Sequence, residues 1–360
     1  MRILMFGMSS FPGGIENYIA NYFLCEEFSR DTKIDFVTYD GSLAYEDRII
    51  ALGHSVKRVP HLRKKPFAYM RAVKKLLKEG DYDCVYVNML SAANIVPIRC
   101  AAKCGVEKIA VHAHASSTVK GALRRFLHWK NKRYCKKKAT VKLACSDKAG
   151  QWLFDNDDFI VVPNSIDVDR FSFSANSRSY VRGTFEIADD TFVIGHIGRF
   201  AEEKNHLFLL DVFNEILKKN NDSRLLLVGG GAYEALIRNK ADGLGISEKL
   251  IFAGVTDCAE KYYSAFDVFV FPSVFEGFGM SALEAQACGL PCFCSDTLSK
   301  NLDVTKTVEF IGLDRRAEHW ADAVLEKKML ISRSDMNRIV RDSEYNIDTQ
   351  IANLKSILSE

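Results

Sequence analysis

Short apolar runs, each followed by a helical period, alternate along this sequence, break off at a polar stretch, and then begin again. In the first half the runs are Ile3–Met8, Ile34–Tyr39, Cys84–Met89, Lys108–His114, Lys142–Cys145 and Ile160–Val162. Helical patterns fall between most of them, at about 15–28, 67–79, 92–104, 120–136 and 147–154. The second half places strands at Phe192–Ile197, Leu225–Val228, Leu250–Phe252, Val268–Phe271 and Cys292–Cys294. Runs that are largely apolar belong to strands covered on both faces, and helices between them join neighbouring strands in parallel. The expected fold class is therefore α/β, two Rossmann-like doubly wound domains. The polar stretch 165–190, which lacks sustained periodicity, is the expected connection. A chain of 360 residues is long for a single core, which agrees with two.

Composition narrows the classes. With 48% hydrophobic and 26% charged residues and no low-complexity tract, the chain is globular. No apolar run approaches the ~20 residues of a membrane span. The start, MRILMFGMSS, reads as a first strand and lacks the long apolar core and cleavage site of a signal peptide. Ten cysteines are scattered without a CxxC, and Cys145, Cys292 and Cys294 fall in strand-like runs. That pattern points to reduced thiols in a cytoplasm, not to a disulfide framework or zinc site.

The densest chemistry lies in residues 268–296, VFVFPSVFEGFGMSALEAQACGLPCFCSD. A buried strand ends at Pro272 and Ser273, and a loop carries Glu276, Gly277, Phe278 and Gly279. A short helix begins near Ser281 and is stopped by Gly289 and Pro291. The glycines let backbone N–H groups approach a ligand, and a helix start favours an anion. Both carboxylates, Glu276 and Glu284, are expected to face the crevice beyond the strand ends. Bland readings exist: Ser281 with Glu284 fits a capping box, Glu276 suits a solvated loop, and Gly289 is an ordinary helix stop.

Three further stretches have the make-up of ligand contacts. In MSSFPGGIEN (residues 8–17), Gly13 and Gly14 at a helix start would present bare N–H groups, although the run is not GxGxxG. In GHIGRFAEEKN (195–205), Arg199 and Lys204 lie across a turn and can converge on one diphosphate, a planar fork beside a compact charge. In VHAHASSTVK (111–120), His112 and His114 alternate with alanines and point to one side of a strand end. Solvated basic residues and a structural histidine are the ordinary alternatives.

Together these segments resemble the large group-1 family of retaining glycosyltransferases with the GT-B fold. The match lies in the E-x7-E pair Glu276 and Glu284, the EGFG start, the ALEAxAxGxP continuation and the GRxxxxKN run from Gly198. VPNSIDVDRF resembles the family's PNGID segment, with Ser165 for the usual glycine, and LLLVGGG supports the register. Residues 345–360 resemble its closing helix, which crosses back onto the first domain. The resemblance implies an acceptor domain over 1–168 with 345–360, a nucleotide-sugar domain over 169–344, and a cleft between them. It implies that Glu284 holds the ribose, Glu276 the sugar hydroxyls, and Arg199 and Lys204 the departing diphosphate. Gly14, Phe278, Gly279 and Met280 complete the donor site by the same carry-over. His114, with His112 in reserve, contacts the transferred sugar. Retention without an obvious enzymatic nucleophile suggests front-face attack. No DxD follows a strand, so no metal is expected, and the donor is a UDP- or GDP-linked sugar. The competing readings are a catalytically inactive partner of the same fold and a GT-B nucleotide-sugar epimerase.

Net charge is only +3 but is unevenly spread. Residues 61–80 set Arg63, Lys64, Lys65, Arg71, Lys74, Lys75 and Lys78 around Phe67, Met70, Val73, Leu76 and Leu77. Residues 119–138 set a similar excess around Leu123, Phe126, Leu127 and Trp129. The plain expectation for each is a surface helix whose apolar side faces the core. The excess charge is not needed for packing, and no nucleic-acid motif accompanies it. With the resemblance, it implies a cytoplasmic enzyme peripheral to the inner face of the plasma membrane. Its partners would be an anionic membrane surface and a lipid-linked saccharide acceptor, with no nucleic acid.

Overall fold

A computed structural model describes residues 1–11, 13–39, 41–115, 121–155, 158–326 and 331–360. The chain forms two units, Met1–Ser165 with Ile347–Glu360, and Ile166–Asn346. The crossings therefore fall at 165/166 and 346/347, where the sequence placed them at 168/169 and 344/345. Each unit is built on a parallel, doubly wound sheet.

The first sheet holds β1 (Arg2–Phe6), β2 (Lys33–Thr38), β3 (Ser55–Arg58), β4 (Cys84–Met89), β5 (Lys108–Ala113), β6 (Val141–Ala144) and β7 (Ile160–Val161). Their order is β3-β2-β1-β4-β5-β6-β7, so the winding turns back between β1 and β4. β1 and β4 pair from Ile3↔Cys84 to Phe6↔Val87, and their apolar side chains are buried on both faces. β3 (SVKR) is absent from the sequence expectation because it is a polar edge strand. Its Ser55 and Lys57 reach the buried Asp35 of β2, which also accepts from Arg2 at 3.1 Å and from Tyr82. The closing helix, Ile347–Ser359, belongs to this unit. Ile347, Ile351, Leu354 and Leu358 form one apolar stripe inside its core, and Lys108 donates to the Leu358 carbonyl at 2.7 Å.

The second sheet holds β8 (Phe192–Ile197), β9 (Ser223–Val228), β10 (Leu250–Gly254), β11 (Val268–Phe271), β12 (Cys292–Ser295) and β13 (Val308–Ile311). Its order, β10-β9-β8-β11-β12-β13, turns back between β8 and β11. β13 (VEFI) is a further half-buried edge strand the apolar pattern misses. The stretch read as an aperiodic linker is also structured. Ser174 caps a helix over Ala175–Thr184, and the fully buried Arg182 donates to the carbonyls of Ala188, Asp189 and Thr191 and to Asp267. A buried arginine that replaces an apolar anchor hides the helical period. Where the chain enters and leaves this unit, Ile166 N–H donates to the Tyr345 carbonyl at 3.0 Å and Ile166 pairs with Asn346.

None of the ten cysteines is in a disulfide. Among the described residues no helix is long and apolar enough to cross a membrane.

Candidate functional site

In the second unit, β8 and β11 are neighbours, paired at Val268↔Ile194 and Phe269↔Gly195, and their carboxyl ends open into loops 198–205 and 272–279. Glycines let the β9 loop close on the first of these. A side chain at Gly229 would stand 2.0 Å from the Gly198 carbonyl, and one at Gly231 would stand 2.4 Å from that of Phe200. Both have φ that L residues rarely adopt, +139° and +154°. Gly198 and Phe200 N–H groups then bond Val228 and Gly230, fixing the backbone that carries Arg199. The two loops are tied together as well. Asn205, in the left-handed region, donates to the Pro272 carbonyl at 3.2 Å, and Val274 N–H donates to Glu203 at 2.8 Å.

This bracing brings Lys204 and Glu276 into contact. Lys204 Nζ donates to Glu276 Oε1 at 2.6 Å, both side chains are only about one-sixth exposed (15% and 16%), and the ammonium lies 4.7 Å over the Phe271 ring. Arg199 does not join them: it is 73% exposed and pairs with Glu203 at 2.6 Å. Convergence of Arg199 with Lys204 therefore requires Arg199 to leave Glu203.

Gly279, with φ +101°, begins the helix Met280–Ala287, and no side chain caps it. Glu284 is not a capping-box residue. Its carboxylate accepts from Tyr263 at 2.7 Å, and burial pushes its pKa up to about 7 although that bond and Arg170 pull the other way. Gly289, φ +75°, stops the helix, with Leu290 N–H donating to the Ala285 carbonyl at 3.0 Å. Phe278 stacks on Tyr345 with ring centroids 4.9 Å apart, and Met280 packs on the same core, so both side chains are anchored.

Sequence reasoning misses what lies beneath. His196 Nδ1 donates to the Val270 carbonyl at 2.9 Å, while His196 Nε2, both nitrogens of His206 and Ser273 Oγ are buried without a partner among the described residues. Burial pulls His206 down to about 4 and His196 well below its ordinary value, so both are neutral under Lys204. The signal available was a histidine inside an otherwise apolar strand. Tyr263 is missed too, because it meets Glu284 only through the fold.

In the first unit, His112 is fully buried. Its Nδ1 lies 2.7 Å from the Tyr86 hydroxyl, and its Nε2 has no partner among the described residues. His114 is partly exposed, stacks on His112 at 4.1 Å, and places Nε2 2.8 Å from Asn88 Oδ1. Asn88 donates its amide to the Phe6 carbonyl at 3.1 Å, which turns Oδ1 to His114. His114 therefore carries its proton on Nε2 and offers Nδ1 as an acceptor. Burial drives its pKa down to about 3, so the ring is neutral in use. The Ser/Thr/Lys run 116–120, Lys120 included, lies outside the described residues, as does Pro12. Gly13 opens the helix Gly14–Phe23 without a side-chain cap, and Gly14 has open space where a Cβ would stand. Glu16 turns back to accept from Ser9 N–H at 2.8 Å. Among the described residues no cluster of three or more His, Cys, Asp or Glu is disposed to hold a metal ion.

The helix Ala122–Lys138 overturns the plain packing expectation. Its buried residues are His128, Asn131 and Cys135, and the first two bond the backbone of Ala92. Leu123 (70%), Phe126 (55%) and Trp129 (76%) face solvent instead. In the helix Pro66–Glu79, Tyr69, Val73 and Leu77 do face the core, and only Phe67 stands out, 78% exposed.

Residues 179–339 match the family model described as Glycosyl transferases group 1, and residues 12–170 match Glycosyltransferase Family 4. The chain is 28% identical over 328 residues to the Bacillus subtilis protein EpsF, named as a glycosyltransferase, covering 87% of this chain and 84% of that one. It is 25% identical over 301 residues to the Escherichia coli UDP-Gal:alpha-D-GlcNAc-diphosphoundecaprenol alpha-1,3-galactosyltransferase, covering 79% and 76%. In structure it is similar to Anabaena HepE in complex with UDP, with a TM-score of 0.81 at 18% identity and both chains covered in full.

Proposed function

This chain belongs to the group-1 glycosyltransferases of GT-B fold, and from that premise we propose that it transfers a hexosyl unit, with retention, from a UDP- or GDP-linked sugar to a lipid-linked saccharide. The product enters a surface polysaccharide or glycolipid. The observation that carries this is the contact between Lys204 and Glu276 at the carboxyl ends of β8 and β11, braced from two loops. A cation for the diphosphate and a carboxylate for the sugar stand at hydrogen-bond distance in one corner. The helix start at Gly279 and the carboxylate of Glu284 lie a few residues on.

In this reading Glu284 accepts from the ribose hydroxyls and Glu276 from hydroxyls of the sugar. Lys204, joined by Arg199 once it leaves Glu203, takes the charge that grows on the diphosphate as the glycosidic bond breaks. The acceptor hydroxyl attacks from the side the diphosphate leaves, its oxygen bonds the anomeric carbon, and its proton passes to the leaving phosphate. His114 Nδ1 accepts from a hydroxyl of the transferred sugar. No step needs a metal. The protein works at the inner face of the plasma membrane, on support from the helix Ala122–Lys138, whose apolar residues face outward among lysines and arginines. The name of the E. coli relative, with its diphosphoundecaprenol acceptor, favours a lipid carrier.

Melting curves with UDP, GDP and ADP test the donor, since a bound ligand raises stability by mass action. Incubation with the matching nucleotide sugar, with and without a lipid-linked acceptor, then separates transfer from epimerisation. The anomeric configuration of the product tests retention. No stabilisation by any of the three nucleotides would sink the proposal.

A further inference from the structure

A cavity of about 240 Å³ opens in the first unit at the carboxyl ends of β1, β2 and β4, against the point where that sheet turns back. Such crevices are where open α/β sheets take ligands. Its floor is apolar strand, Val37 and Met89 among it, and its polar edge includes Tyr39, Tyr69, Ser91 and Arg124.

The charge at this edge is one-sided. The two amides are already spent: Asn88 on Phe6 and His114, and Asn94 on Val96 N–H at 3.0 Å and the Tyr69 side chain. Ser91 Oγ accepts from Ala93 N–H at 3.4 Å, which leaves its own proton to give. Arg124 forms no ion pair among the described residues, and none of the described lining residues is a carboxylate. What remains is a guanidinium with no carboxylate beside it, and hydroxyls that donate or accept, over an apolar floor. These hydroxyls can serve a neutral sugar or an anion alike, so the charge decides: a neutral sugar would leave Arg124 without a counter-charge. An anion brings acceptors alone and suits the planar fork of arginine.

We infer that this cavity binds an anionic group attached to a sugar ring of the acceptor, a phosphate or a carboxylate, with Arg124 as its counter-charge. This rests on the proposal that the first unit takes the acceptor. The ring's C–H face lies on the apolar floor, and the charge meets Arg124 at the rim.

The test uses the full chain saturated with UDP, so that the donor site is closed to phosphates. Binding of glucose 1-phosphate, methyl glucuronoside and methyl glucoside is then measured by ligand-observed NMR. At least one charged ligand binds ten-fold or more tightly than methyl glucoside, and Arg124→Gln removes that preference while leaving the UDP melting shift unchanged. Preference for the phosphate alone identifies a glycosyl phosphate as the source; preference for the glucuronoside alone identifies a uronate. Equal binding of all three ligands, or a preference that survives Arg124→Gln, overturns the inference. Loss of the UDP shift in the unaltered protein instead refutes the donor assignment, and the same three ligands still decide the cavity.

Discussion

Lys204 and Glu276 satisfy each other in the free protein, yet the proposed reaction asks each to bind a different part of the donor. Glu276→Gln should therefore separate two effects that an ordinary active-site change confounds. Transfer is lost, since the sugar forfeits a charged acceptor worth about 1.5–3 kcal/mol. Affinity for the nucleoside diphosphate alone holds or rises, because Lys204 is released. Calorimetric titration with UDP or GDP beside a turnover assay checks it; weakened diphosphate binding would show that the pair acts as one unit. Lys204→Ala and Arg199→Ala, in contrast, both weaken that binding. Glu284 supplies a pH test. Its folded pKa of about 7 lies above the ordinary 4.5, so the native state keeps this proton where the unfolded chain has lost it. This group's contribution to stability thus falls as pH rises from 4.5 to 7, by on the order of 3 kcal/mol, and Glu284→Gln flattens the fall in a denaturation series. The histidines divide by burial: His114→Ala loses transfer but still binds nucleotide, whereas His112→Ala, which empties a fully buried site, lowers stability by roughly 3 kcal/mol.

Elements were legible where both faces are apolar and illegible where a polar group anchors them. β1, β4, β8 and β11 announce themselves through runs of consecutive buried residues, and with them the two crevices. β3 does not, since an edge strand built from Ser55, Lys57 and Arg58 reads as loop. The helix Ala175–Thr184 hides behind Arg182, and the alternative of a cap stayed open for Glu284 because Tyr263, its partner, is contributed by another element. The helix Ala122–Lys138 is the sharpest case. Its composition suggested an apolar inner face, but the inner face hydrogen-bonds Ala92 through His128 and Asn131 and so frees Leu123, Phe126 and Trp129 for solvent. With Lys130, Arg133 and Lys137 along the same helix, it has the make-up of an interfacial anchor. Replacing Leu123, Phe126 and Trp129 by Ser should leave melting unchanged within about 0.5 kcal/mol. The same change should release the protein from anionic vesicles in a sedimentation assay. Raised salt should release the unaltered protein, each basic residue contributing roughly 1 kcal/mol. Indifference to vesicles at low salt would refute the membrane assignment.

At the scale of the molecule, the first unit is assembled from both ends of the chain and the second from one continuous stretch. Deleting 347–360 should leave Ile166–Asn346 folded and able to bind nucleotide, while the first unit loses the stripe of Ile347, Ile351, Leu354 and Leu358. Hydrogen exchange read separately over the two units would register this as lost protection in residues 1–165 alone. The same arrangement sets an order of events on the ribosome. Residues 1–165 emerge first but cannot complete their core until the last helix is made, so they wait with an apolar groove uncovered. The segment synthesised after them holds all its own partners and closes first. Of the two units, the one whose residues are translated earlier is thus the one that matures later, and a chaperone guarding nascent chains would find its longer-lived target there.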